Sequence, residues 1–276
     1  MKIITDTASL YTPEEAQKLG ITVIPACVLI DDKAYRDYED ITSENFLEAV
    51  VSGATPTSSQ PAIGDVLDIF ENIQEDVLHL SLGDGLSGAY QNAVGAKNCL
   101  DDNEHIHVID TKTLAGPQHY LVQKALKLKE DGFKIEKIKE ELQKSIASSV
   151  SFVIPADFNF LKRSGRLTPI AAQISALIKI VPVMTQTSDK KRIEPFVIKR
   201  SVKSAVEAII KHLKFLQVDD KYIITISHAG AAEKATQVLQ QFKTHFENAS
   251  FELFSLSPAL ITHGGPGCIV IQAIMK

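Results

Sequence analysis

Gly83-Asp84-Gly85-Leu86-Ser87-Gly88 is spaced as G-x-G-x-x-G, after a strand-like run and before a helix-like one. Asp110 follows Gly88 by 22 residues, roughly where a ribose-binding acid would stand. Taken alone this is a dinucleotide fingerprint. Two other readings remain open for it: a tight strand-to-helix turn, or an anion site built from Ser87 and backbone N–H groups at a helix start. A second cluster, Thr55-Pro56-Thr57-Ser58-Ser59-Gln60-Pro61, crowds hydroxyls before a predicted helix. Capping needs only one of them, and the surplus suits an anionic head group. A third, Thr262-His263-Gly264-Gly265-Pro266-Gly267, would expose backbone N–H groups, with His263 as donor or base. The fourth, Lys162-Arg163-Ser164-Gly165-Arg166-Leu167, reads as a solvated basic turn, an anion clamp through Arg166, or a partner-docking surface.

Other chemistries lack their residues. The sequence has no G-x-x-x-x-G-K-[ST] phosphate loop and no G-x-S-x-G elbow. Ser87, Asp110 and His263 do follow the chain order of a serine hydrolase, but Ala89 stands where the second elbow glycine belongs. The remaining histidines show no metal-ligand spacing, and His105 and His107 read as surface residues. Cys27, Cys99 and Cys268 are far apart and odd in number, which fits neither a disulfide framework nor a zinc site and agrees with a reducing cytoplasm.

The elements that must carry these segments are legible in outline. Residues 2–5 predict a buried strand. Thr12-Pro13-Glu14-Glu15 predicts a capped helix that Gly20 ends. Residues 21–30 predict one strand with Pro25 at a bulge or edge. A helix over 43–51 is expected to bury Phe46, Leu47, Val50 and Val51, and Pro61 to open another with Val66, Ile69, Phe70 and Ile73 inward. Strands at 77–82 and 105–109 complete a mostly parallel α/β pattern. From about residue 148 the pattern changes. A charged helix over 133–146 precedes a strand at 150–154, a hairpin of 180–185 with 192–198, helices near 202–216 and 232–246, and strands at 222–227 and 267–274. The expected division is an α/β domain over 1–148 and a mixed α/β domain over 149–276 that contains the hairpin sheet.

Composition narrows the function. The chain has 276 residues, 45% hydrophobic and 23% charged, with net charge −5. An acidic balance argues against nucleic acid as the main partner. No apolar run reaches the length of a membrane span, and the N-terminus turns polar too soon for a signal peptide.

Taken in order, Thr5-Asp6-Thr7-Ala8, Thr57-Ser58-Ser59-Gln60-Pro61, Gly85-Leu86-Ser87-Gly88-Ala89-Tyr90, Val108-Ile109-Asp110, Leu161-Lys162-Arg163-Ser164-Gly165-Arg166 and His263-Gly264-Gly265-Pro266-Gly267 resemble the DegV family of bacterial fatty-acid-binding proteins. The likeness spans nearly the whole chain. It implies a two-domain α/β protein without cofactor or catalysis of its own, holding one long-chain fatty acid in a buried tunnel. It also implies a role as binding subunit of a fatty acid kinase, whose separate ATP-using subunit makes acyl phosphate for phospholipid synthesis. The family's carboxylate contacts fall on Ser58 and Ser87, with His263 and Arg166 matching its loop histidine and arginine. The expected ligand-binding set is Thr57, Ser58, Ser87, Gly88, Arg166, His263 and Gly264. Ile170, Ala171, Ile174, Leu177 and Ile178, on the helix expected after Arg166, are candidates to line the tail, and their spacing is equally that of an ordinary core stripe. Asp84 would repel a carboxylate if it faced the head group.

Overall fold

The structure is a computed structural model that describes residues 1–173 and 180–276. Its first part runs β1 (Lys2–Asp6), α1 (Pro13–Leu19), β2 (Thr22–Ile24), β3 (Cys27–Ile30), β4 (Lys33–Arg36), α2 (Ser43–Val51), β5 (Thr57–Ser59), α3 (Ile63–Glu71), β6 (Val77–Ser81), α4 (Ala89–Asn98), β7 (Ile106–Asp110), α5 (Gly116–Glu130) and α6 (Ile135–Ser148). The second part runs β8 (Val150–Ile154), α7 (Phe158–Arg163), α8 (Pro169–Ala172), β9 (Val181–Gln186), β10 (Ile193–Lys199), α9 (Val202–Phe215), β11 (Tyr222–His228), α10 (Ala232–Lys243), β12 (Ser250–Ser255), α11 (Pro258–Gly264) and β13 (Ile269–Met275).

Local signals explain where the early elements begin and end. Thr12 accepts the Glu15 N–H while Glu15 accepts the Thr12 N–H, Pro13 supplies the first turn, and Gly20 closes α1 at φ 65°. In the first part, β2, β1, β6 and β7 form a parallel sheet in that order. The chain leaves β1 for β2 on one side and returns as β6 on the other. The order therefore reverses between β1 and β6, and their carboxyl ends open a crevice there. A small antiparallel sheet, β4-β3-β5, stands beside it. In the second part the order is β10-β9-β8-β13-β11-β12, antiparallel except for β11 with β12.

The mixed α/β class and the parallel first sheet agree with the sequence reading, and residue 148 is the last of α6. Residues 21–30 do not form one strand. Pro25 cannot donate a ladder hydrogen bond, and there the chain crosses from β2 in the parallel sheet to β3 in the small one. Val51, expected inside, is 75% exposed at the end of α2. β4, β5, β12 and the long helix α5 carry too little periodicity to be read from the sequence.

α5 joins the two large sheets. Leu121, Val122 and Ala125 share one buried cluster with Leu78 and Leu80 of β6, Ile223 of β11 and Ile274 of β13. At Gly116, its first residue, the helix backbone lies against β11: a Cβ there would stand 2.0 Å from Thr225 Oγ1 and 2.3 Å from its Cβ. Thr225 is fully buried and cannot move aside. Gly116→Ala is therefore expected to wedge α5 off the second sheet and cost about 1–3 kcal/mol or more in urea unfolding, the range for overpacking a rigid core; a change under about 0.5 kcal/mol would show that the seam yields.

Candidate functional site

The crevice at the carboxyl ends of β1 and β6 continues into a cavity of about 110 Å³. Apolar side chains from separate elements wall it, among them Leu82, Leu86, Leu161, Leu260 and Val270. Ser58, Ser87, Arg166, His263 and Gly264 face the same space. A second, smaller-walled recess of about 160 Å³ lies outside it, lined by Thr55, Thr57, Arg163 and Thr262 among others. Ser58, Ser164, Arg166 and His263 line both spaces and so form a polar neck between them.

The neck residues come from three places in the chain: β5, the turn after α7 and the end of α11. Ser58 sits on β5, paired with Val28 of β3. The hydroxyl run at 57–59 is thus a strand, and α3 starts from Ala62 with no side-chain cap, so capping does not account for the cluster. His263 lies in the last turn of α11, and its Nε2 lies 2.8 Å from Ser58 Oγ across 205 residues of sequence. Burial pushes the imidazole down to about 4, and the nearby Arg166 charge adds to the shift. At neutral pH it is an uncharged ring with one donor and one acceptor nitrogen. Arg166 donates from Nε to the Leu86 carbonyl at 3.0 Å and also to the Ser164 carbonyl, so the basic turn grips the glycine loop of the first part. Ser87 Oγ accepts the Ala89 N–H at the start of α4.

The glycines serve packing. A Cβ on Gly83 would meet the Lys112 and Thr113 backbone at 2.9 Å, and one on Gly85 (φ 84°) would meet Lys191 at 2.7 Å. Gly88 closes on Gln60, whose Oε1 lies 2.9 Å from where a Cβ would stand. The chain itself fills the space where a pyrophosphate would approach, and Asp110 accepts the Asp84 and Lys112 N–H groups. Nor is the hydrolase order assembled: Asp110 is spent on those amides and His263 pairs with Ser58. In the late loop, the N–H groups of Gly265, Gly267 and Cys268 donate to Ile261, Ala229 and Gly265 carbonyls, so they are not free for an anion as the sequence suggested. Gly264 lets Cys268 close in, with Sγ 2.5 Å from where a Cβ would stand.

Of the expected binding set, Ser58, Ser87, Arg166, His263 and Gly264 converge on the cavity. Thr57 faces the outer recess, and Gly88 packs behind the wall. Ile170 does not line the tail, because its side chain is 76% exposed on the short α8; Ala171 is the buried residue of that turn. Ile174, Leu177 and Ile178 lie outside the described residues. Asp84 faces away from the cavity, bridging Lys191 at 3.0 Å and accepting from Gln91. Asp6 also lines the cavity, outside the expected set. Its carboxylate accepts the Leu82 N–H at 2.7 Å and the Ala8 and Gln118 N–H groups at 3.1 Å, while burial raises it to about 6. Its place at the end of the first strand, the usual ligand end of a parallel sheet, was the available signal.

A neutral His263 makes a direct expectation. Its stabilising contribution is complete above pH 6.5 and is lost as pH falls toward 4. The Cε1–H resonance of His263 in the ligand-free protein should therefore hold steady from pH 8 to about 5.5, whereas a midpoint near 6.5 would contradict the burial argument.

Comparison with known proteins agrees with this architecture. The DegV family model, described as "Uncharacterised protein, DegV family", matches residues 1–276. The DegV domain-containing protein SA1258 of Staphylococcus aureus strain N315 is 28% identical over 278 residues, covering 99% of this chain and 98% of its own. DegV of Bacillus subtilis, a fatty acid binding protein, superposes with a TM-score of 0.87 at 25% identity over 100% of this chain and 99% of its own. A fatty acid binding DegV family protein of Streptococcus agalactiae does so with a TM-score of 0.89 at 27% identity, over 100% and 98%. The chain belongs to the DegV family.

Proposed function

We propose that this protein binds one long-chain fatty acid, tail in the apolar cavity and carboxylate at the neck, and presents that carboxylate to a separate ATP-dependent kinase subunit. The observation that carries the reading is the Ser58–His263 pair at the mouth of an apolar cavity in a chain whose relatives bind fatty acids. A buried methylene contributes about 0.8 kcal/mol, so the tail supplies most of the affinity. The carboxylate would cost several kcal/mol if it lost its water without replacement. Ser58, Ser87 and His263 are neutral donors that replace it, and Arg166 at the neck adds positive charge. Neutral donors leave the carboxylate oxygen nucleophilic. In the partner's active site that oxygen would form a bond to the γ-phosphorus of ATP as the bond to ADP breaks, giving acyl phosphate. This chain would turn over nothing alone. The outer recess, walled by Thr55, Thr57 and Arg163, is where the phosphoryl donor would approach.

The same reading divides the chain near residue 148 and gives the neck residues from both parts. It sets the protein in the bacterial cytoplasm, where the free thiols of Cys27, Cys99 and Cys268 would persist. Among the described residues no helix is long and apolar enough to cross a membrane.

Native mass spectrometry of freshly purified protein should show the added mass of one fatty acid, lost on delipidation. Ser58→Ala, Ser87→Ala and His263→Ala should each weaken palmitate binding roughly tenfold, the scale of one hydrogen bond to a charged group. Unchanged binding in all of them would remove the head-group site. With an ATP-binding kinase subunit, palmitate and ATP, hydroxylamine should trap palmitoyl hydroxamate only when this chain is present.

A further inference from the structure

The cavity wall holds a carboxyl group that an apolar tail has no use for. Asp6 lines the cavity but not the outer recess, so it lies on the inner side of the neck. It accepts from the N–H groups of Leu82, Ala8 and Gln118, the Ser81 side chain is a further hydrogen-bond partner, and it makes no ion pair with a lysine, arginine or histidine among the described residues. The cavity is thus polarised, with the Arg166 cation at the neck and an anion within.

We infer that Asp6 is a specificity-determining residue: it admits an acyl chain tail first and turns away a chain whose far end carries a second carboxylate. The inference rests on the fatty-acid reading of the cavity. A monocarboxylic acid leaves its charge at the neck, beside Arg166, and brings only methylenes past Asp6. An α,ω-dicarboxylic acid of equal length must bring an anion into a low-dielectric space that already holds one, where like charges repel most. Seating a methylene chain beside Asp6 also removes water from it, and this favours the protonated carboxyl. Burial has raised that carboxyl to about 6 already, so a modest further rise makes binding take up a proton near neutral pH. The titratable and charged groups around Asp6 are few. Asp37, next along from β4, is a buried carboxyl also raised to about 6, and the Asp6 charge contributes to that rise. His263 and Arg166 line the same cavity at the neck. Its other contacts, with β6 and α5, are the Leu82 amide, Ser81 and the Gln118 side chain.

Affinities of palmitate and 1,16-hexadecanedioate, measured at pH 7.5 for the wild type and Asp6→Asn, test the selection. The wild type should prefer palmitate by at least 100-fold, and Asp6→Asn should shrink that ratio at least tenfold; an unchanged ratio in a folded variant overturns the inference. Asp6→Asn turns an amide toward backbone donors and can fail to fold, so a second measurement uses the wild type alone. In protein labelled with ¹³C at aspartate, the Asp6 carboxyl, assigned through its own backbone, should titrate near 6 without ligand and at least one pH unit higher with palmitate. An unmoved midpoint overturns the inference. If neither acid binds the wild type at all, the fatty-acid reading itself has failed.

Discussion

A carboxylate leaves water only where donors wait for it, and an alkyl chain gains by leaving water almost anywhere. Under the proposed function, the architecture around the cavity answers to both at one mouth. The apolar wall needs many side chains and little precision, and it comes from separate elements of both parts. The neck needs few groups and exact placement, and it depends on a contact between β5 and the last turn of α11. The Ser58–His263 hydrogen bond joins positions that only the tertiary fold brings together. It works because burial keeps the imidazole neutral, so the ring accepts from or donates to a hydroxyl without carrying a charge.

Beside the shared cluster around α5, the two large sheets are joined by closer and more polar contacts. α5 lies on β11 through a glycine, and the hairpin of β9 and β10 reaches back over the first part. Lys190, at its tip, donates to the carbonyls of Ile146 and Ser149 at the end of α6. Lys191 bridges Asp84 and packs on Gly85, and Gln186 donates to the Lys112 carbonyl. The glycine loop that carries Ser87 is thereby clamped by the second part from one side while Arg166 holds it from another. A glycine-rich loop free in solution would be a poor place for a binding hydroxyl; this one is fixed by the chain that fills its hollows.

Local sequence rules recovered what is local. The capping box of α1 and the hydrophobic stripe of α6 involve residues within a turn or two of each other, and both stand as read. Pro25 was legible as a break but not as a change of sheet, since a missing donor says where a ladder ends and nothing about which ladder comes next. α5 is hard to read from the sequence because its first turns are buried with the polar Gln118 and His119 inward, so only its later turns, with Gln123, Lys127 and Glu130 exposed, show a polar face. Among the site residues, the hydroxyls and His263 were legible because polar residues in surplus of capping needs are conspicuous. The wall was not, because a cavity assembled from single leucines and alanines on many elements leaves no periodic trace. Ile170 shows the reverse error: its spacing fits a stripe, but α8 is too short to bury more than Ala171.

The G-x-G-x-x-G segment shows how one spacing serves two ends. In a dinucleotide fold the glycines clear room for a ligand's phosphates. Here they clear room for Lys112, Lys191 and Gln60, three segments of the same chain. The result is still a loop at the carboxyl end of a parallel strand, next to the point where strand order reverses, and the cavity still opens there. The fold offers its usual binding position, and side chains decide what is bound. With the phosphate hollow filled and apolar walls beyond it, the position favours a ligand that needs a few donors at one end and none along the rest of its length.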